Sequence, residues 1–247
     1  MRIHPTALIE EGAILGENVK VGEFSIIRAT CVIGKNVEIG SFCEVGTIPH
    51  NSDFAQPLLI GDNSLIRSHS ILYCGSSFGP GLSTGHGVTV REGTVAGIGL
   101  QVGTGSDIQG DCTIGDYVRA HSNVHISKAS KIGNFVWLFP GVILTNDPMP
   151  PSNILRGVTV GDFAVLAVGV KVMPGIQIGS GSLIGAGSIL KLHAQPDSLY
   201  YGNPAKLLGK LAELPLLDET GNPAYPWKSR FSRGYPEEIV KTWEVIE

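Results

Sequence analysis

The chain has 247 residues, 18 of them basic and 22 acidic, for a net charge of −4 at neutral pH. With no lysine or arginine run it does not read as a nucleic-acid binder, and it holds no apolar run of the ~18 residues a membrane span needs. Only 16% of residues are charged and 33 are glycine, well above the usual ~7%, a composition of short strands and tight turns.

The N-terminus carries no secretory apolar core, so a soluble cytoplasmic protein is expected. A repeat begins at once. Ile3, Ile9, Leu15, Val21, Ile27, Ile33, Ile39 and Val45 recur at a step of six. Four places after the first seven stand Ala7, Ala13, Val19, Ser25, Cys31, Val37 and Cys43, all small or β-branched. A period of six fits neither an amphipathic helix nor an alternating strand. It is the hexapeptide signature of a parallel β-helix. The apolar residue points into a narrow prism and the small one fills the space beside it. The position after the apolar residue, often glycine, is expected to turn the corner through backbone angles that a missing Cβ permits.

Thr47 to Leu59 break the phase, with Pro49, Asn51, Asp53 and Pro57 marking a loop. The step resumes at Ile60, Ile66 and Leu72 and keeps its phase through Phe78 and Thr84. It then runs unbroken from Val90 to Leu144, with Leu100 as the misfit in the small slot. Thr145 to Thr159 is a second excursion, too proline-rich for strand. A last run is Val160, Leu166, Val172, Ile178, Ile184 and Leu190. Three hexads close one triangular coil of 18 residues, which gives about nine to ten coils and, at ~4.8 Å per strand, a prism roughly 45 Å long. Cys31, Cys43 and Cys112 fall in the small inward slot and read as core filler. Only Cys74 lies off it.

Residues 1–192 therefore form the all-β, parallel β-helix domain, and 193–247 a helical cap and tail. Asn203 to Leu214 has helical spacing and is expected to cap the open end. Pro236, Glu237 and Glu238 open a short final helix, since proline suits a first turn and acids suit its dipole.

These repeats resemble the left-handed β-helix acyltransferases over about residues 3 to 206. The handedness follows from that resemblance. The stretches IGAGSILK (Ile184 to Lys191) and YGNPAK (Tyr201 to Lys206) look like the acyl-CoA-dependent branch. TGHGVTVRE (Thr84 to Glu92), SDIQGDCTIG (Ser106 to Gly115), YVRAHSNVHI (Tyr117 to Ile126) and LTNDPMPPSN (Leu144 to Asn153) are similar to nucleotide-sugar N-acetyltransferases of the dTDP-3-amino-3,6-dideoxyhexose type. The resemblance implies acetyl transfer from acetyl-CoA to the amine of a nucleotide-linked amino-deoxy sugar, a precursor of O-antigen or S-layer glycans. It also implies a homotrimer with acetyl-CoA between neighbouring prisms. Charge, hydropathy and the histidine phases separately lead to the expectation of no nucleic-acid partner, no membrane partner and no metal.

Residues 18 apart stack on one edge. One edge then carries His86, His121, Ser122 and Asn123, followed by Phe139, Ala167 and Gly185, if the second excursion replaces only a corner. N-acylation needs an unprotonated amine, a held oxyanion and a path for one proton. Histidine titrates near neutrality. His121, Asn123 and His125 are therefore the catalytic candidates, His121 and His125 as bases and Asn123 toward the oxyanion. His86, Glu92, Asp107, Asn146 and Asp147 are substrate-binding candidates. Asp147 also reads as an Asx turn before Pro148. Small Ala167 and Gly185 suit a pantetheine arm, and Lys191 and Lys206 suit CoA phosphates.

Three alternatives stay open. O-acetylation of a sugar or of serine shares the fold, although the second excursion lacks a histidine. A zinc hydratase of the γ-carbonic-anhydrase type would recruit His86, His121 and His125. Their phases in the hexad disagree, and His86 and His121 do not stand a whole number of coils apart. The third alternative is a non-catalytic scaffold.

Overall fold

The computed structural model describes residues 1–50 and 56–243. Strands of two to four residues follow one another from Arg2–Ile3 to Ile189–Leu190, one for each expected hexad. They wind into a left-handed parallel β-helix whose three faces are sheets of 12, 10 and 9 strands. Pairing runs from one coil to the next, so Arg2 lies opposite Lys20 and Asp107 opposite His125. The excursions lengthen a turn without changing the register: Glu38 pairs Leu65, and Trp137 pairs Val165. The second excursion does replace only a corner. Asn51 and Asp53 of the first lie outside the described residues.

The step residues fill the prism. Ile27, Ile66, Leu72, Leu138 and Leu144 are fully buried, each stabilising the fold by about 1.5–3 kcal/mol relative to exposure. Leu100 takes the small slot beside Ala96, and both are buried. Buried hydroxyls in that slot bond the turns. Ser106 Oγ donates to the His121 carbonyl at 2.9 Å and accepts from the Val124 N–H at 3.0 Å. Such pairing is what allows a hydroxyl in a core. All four cysteines are free and buried. Burial pushes the Cys31 thiol up to about 12, which keeps it protonated and unreactive.

The corner glycines serve a different purpose from the one expected. Gly16 does not have positive φ. A Cβ there would lie 2.6 Å from the backbone carbonyl of Gly34 in the next coil, so the glycine is required by close stacking. The left-handed residue falls two places later, and it is often not glycine: Asn36 (φ 54), Tyr117 (φ 53), Asn123 (φ 57), Phe135 (φ 57) and Phe163 (φ 58).

The C-terminal end departs from the expected helical cap. Ser198–Gly202 adds a further parallel strand to the first sheet, and Ala205–Lys210 pairs antiparallel with it. With Ala194 bridging to Ile178, the prism has ten coils and begins an eleventh, where the repeat predicted nine to ten. The leucine spacing of Asn203 to Leu214 mimics a helix. The open end of the prism instead exposes unpaired strand edges, and a hairpin satisfies them. Only Leu211–Glu213 is helical there, as a single 3₁₀ turn. The final helix forms as expected at Glu237–Trp243 with both acids in its first turn.

The tail folds back along the prism. Tyr117, Phe135 and Phe163 form a corner ladder with ring centroids 5.7 and 4.8 Å apart. Buried Trp227, Tyr235 and Trp243 of the tail pack against it. Trp227 Nε1 donates to the Phe163 carbonyl at 2.9 Å. Arg119 Nη2 donates to the Gly234 carbonyl at 2.8 Å, and its guanidinium lies 4.1 Å from the Tyr235 ring centroid.

Candidate active site

Two faces of the prism divide the candidate residues between them. Asp107, His125, Glu92 and Asn146 gather on the second sheet and the corner that follows it. His86, His121 and Asn123 occupy the corner between the first and second sheets.

On the second sheet, Asp107 and His125 are one coil apart and point outward from paired positions. His125 Nδ1 lies 2.9 and 3.1 Å from the two carboxylate oxygens. A carboxylate only accepts, so Nδ1 carries the proton and Nε2 keeps its lone pair. Burial pushes the Asp107 carboxyl up, but hydrogen bonds from His125 and Gln109 outweigh it and leave it below the ordinary value. Asp107 is therefore an anion that orients the imidazole through Nδ1–H.

His125 lines a cavity of about 400 Å³ together with Arg91, Glu92, Gln109, Ser127, Lys128, Asn146 and Leu155, and Asp107 holds it from outside that lining. Glu92 is already paired, its oxygens 2.8 and 2.9 Å from Nε and Nη2 of Arg91. Burial pushes Glu92 up, and that pairing more than reverses it. Lys128 Nζ lies 3.0 Å from Asp111. The second excursion leaves the prism at this corner, and Asn146 Nδ2 donates to the Lys128 carbonyl at 3.4 Å. Asp147 faces its own loop. Its carboxylate accepts from the Met149 N–H and from both the N–H and hydroxyl of Ser152, which is the Asx-turn arrangement.

On the other corner, His121 stacks on Phe139 with centroids 4.8 Å apart and lies 5.7 Å from the Trp137 ring. Burial, with Arg119 nearby, lowers its pKa and keeps it neutral. No carboxylate pairs with it among the described residues. His86 is exposed and bonds the Ser68 hydroxyl at 2.8 Å. Asn123 is exposed in its left-handed turn. Beside this corner a cavity of about 420 Å³ is lined in part by Arg67, Gly85, Gly103, Arg119 and His121.

Of the residues expected to hold CoA, Ala167 and Gly185 do continue the His121 edge, and the Tyr201 ring packs against Gly185. Exposed Lys191 follows Ile189–Leu190 on the next corner, and exposed Lys206 lies on the closing hairpin opposite Tyr201. His86, His121 and His125 do not converge, and no group of three metal-ligating side chains occurs among the described residues. No helix among them is long and apolar enough to cross a membrane.

Sequence reasoning named Asp107 and His125 separately and missed their pairing. The signal was present, because the two stand one coil of 18 residues apart. It also missed Lys128, which lies in none of the quoted stretches, and Arg91 and Gln109, which lie in two of them but were not singled out.

Residues 12–47 match the bacterial transferase hexapeptide family (six repeats). An acyl-(acyl-carrier-protein)–UDP-N-acetylglucosamine O-acyltransferase of Sinorhizobium fredii is 30% identical over 211 residues, which cover 84% of this chain and 70% of that protein. A putative acetyltransferase of Saccharomyces cerevisiae is 32% identical over 110 residues, 40% of this chain, and the match spans only 56% of that relative. A UDP-N-acetylglucosamine acyltransferase from Campylobacter jejuni superposes with a TM-score of 0.51 over 98% of this chain and 81% of its own, at 22% identity, and shares the fold.

Proposed function

The chain belongs to the hexapeptide-repeat, left-handed β-helix acyltransferases, and on that premise we propose that it transfers an acetyl group from acetyl-CoA to the amine of a nucleotide-linked amino-deoxy sugar. The observation that carries acyl transfer is His125, held by Asp107, in the wall of a polar cavity; the amine as acceptor rests on the sequence resemblance.

The neutral amine attacks the thioester carbonyl. As the C–N bond forms, Nε2 of His125 takes the amine proton, and Asp107 stabilises the resulting imidazolium. The oxyanion develops beside the Lys128 ammonium and the Asn146 amide, both of which line the cavity. Collapse breaks the C–S bond, and the proton on His125 passes to the departing thiolate. His121 contributes to acceptor binding, because its stack on Phe139 and its lack of a carboxylate suit a wall better than a base. Small Ala167 offers the pantetheine arm a smooth edge, which the Tyr201 ring packed on Gly185 bounds one coil further on. A homotrimer would bring a second prism against the cavity.

A second reading is O-acylation of a nucleotide-linked sugar. An oriented His–Asp dyad is needed more for a hydroxyl than for an amine, which attacks once it is unprotonated. The Sinorhizobium fredii relative is named for such a reaction. A thiol-release assay against UDP- and dTDP-linked amino-deoxy sugars, with the matching hydroxy sugars and serine as controls, separates the two. Turnover confined to an amino sugar supports N-acetylation. Turnover confined to hydroxyls overturns the acceptor but keeps acyl transfer.

A further inference from the structure

The cavity beside His121 is a trough whose shape comes from the sequence of one corner. In that corner's column, going up the prism, stand Arg67, Gly85, Gly103, His121 and Phe139. The two glycines leave a bare floor three coils long, ~14 Å from Arg67 to His121 by strand spacing. Arg119 forms the side, and Phe231 and Arg233 of the folded-back tail complete the lining.

Arg67, Arg119 and Arg233 form no ion pair among the described residues, and no carboxylate lines the trough. In a chain with a net charge of −4, three arginines line one cavity. Arg119 is tied to tail carbonyls and the Arg233 guanidinium lies 5.6 Å from the Phe231 ring centroid, so the exposed Arg67 and Arg233 are the forks left to meet an anion among the described residues. Guanidinium matches phosphate oxygens in pairs.

The trough continues into an apolar cavity of about 370 Å³ that shares His121, Trp137, Phe231 and Arg233 and adds Phe139 and Trp227. Flat aromatic walls next to an unpaired cationic site suit a planar base joined to phosphates. The combined space is in the range of small-molecule sites, ~300–1,000 Å³.

We propose that this trough binds a nucleoside diphosphate, with the base among Trp137, Phe139 and Phe231 and the phosphates on Arg67 and Arg233. The proposal rests on the reading of the acceptor as nucleotide-linked and gives that acceptor its binding site. Between trough and dyad lie the turn residues His86-Gly87 and Thr104-Gly105, over which the sugar extends toward His125. The span from Gly103 to Asp107 is four residues, at most ~14 Å. Exposed His86 stands on that path.

Calorimetric titration with UDP and with dTDP tests the proposal on the full chain, comparing wild type with Arg67→Ala, Arg233→Ala and His125→Ala. Each arginine variant is expected to weaken nucleotide binding about tenfold or more and to raise the acceptor KM with kcat within about threefold. His125→Ala is expected to bind the nucleotide as wild type does. Binding that neither arginine variant alters overturns the proposal. CoA carries a nucleotide of its own, so 3′,5′-ADP is titrated in parallel. Loss of 3′,5′-ADP binding with UDP and dTDP unaffected overturns it in favour of the donor. Arginine-dependent binding of UDP or dTDP without turnover of any nucleotide-linked amino sugar supports the trough and overturns the reading of the reaction.

Discussion

His121 and His125 sit four residues apart in one coil, and their surroundings are opposite. His125 has a carboxylate one coil below it, at 2.9 Å. His121 has bare Gly103 one coil below and the Phe139 ring one coil above, at 4.8 Å. The first is oriented by its carboxylate partner. The second is half-buried against rings, near a guanidinium, and kept neutral. In a solenoid, the residues one coil before and after decide what a side chain does. Local sequence around the two histidines would not separate them.

Five measurements break or sharpen that contrast. His125→Ala removes the base and should lower kcat by about 10³-fold, within the range for general-base catalysis, without weakening acceptor binding. A kcat within a few-fold of wild type would strip His125 of the role. Asp107→Asn keeps the shape but removes the charge that orients Nδ1–H, and should lower kcat by about 10²-fold. If it behaves as wild type, the imidazole needs no orienting partner. His121→Ala should act on binding, with acceptor KM up about tenfold and kcat within about threefold. A large kcat loss at unchanged KM would exchange the roles of the two histidines.

The fourth concerns stability. His121 has a folded pKa below its unfolded value, so between the two the unfolded state holds more protons. Its contribution to stability is present above about pH 6.5, the unfolded value, and is lost as pH falls. His121→Phe should flatten the fall in Tm between pH 7 and 5, and an unchanged slope would contradict the burial effect. The smallest effect is expected from Cys112→Ser. Its Sγ donates to the Gly110 carbonyl at 3.1 Å inside the prism, a bond a hydroxyl also makes, so kcat should stay within twofold. Activity lost from a folded variant would give that thiol a chemical role.

Much of this was legible in advance because the repeat encodes contacts at a fixed spacing. Lys20 meets Glu38 at 3.1 Å, Ser68 meets His86 at 2.8 Å and Asp107 meets His125 at 2.9 Å, all one coil apart. Where the spacing stops, the reading failed. Asn203 to Leu214 has leucines in helical phase, yet it forms a strand because the end of a parallel sheet needs partners. The corner glycines were assigned to backbone freedom, yet Gly16 is required by the backbone of the next coil 2.6 Å from where its Cβ would be. Arg119 and Gly234 are 115 residues apart, and no periodicity announces such a contact.

The sequence by itself determined the prism: the six-residue step, the inward set and the partner of nearly every strand residue follow from one period, because each coil packs only on its neighbours. The tertiary structure alone decided the tail. Its aromatic residues find the Tyr117–Phe135–Phe163 ladder through surface shape and stacking, and these are properties of a folded face that no stretch of chain contains. The tail also brings Arg233 to Arg67 and Arg119, so the trough exists only once the prism has formed and the tail has docked on it.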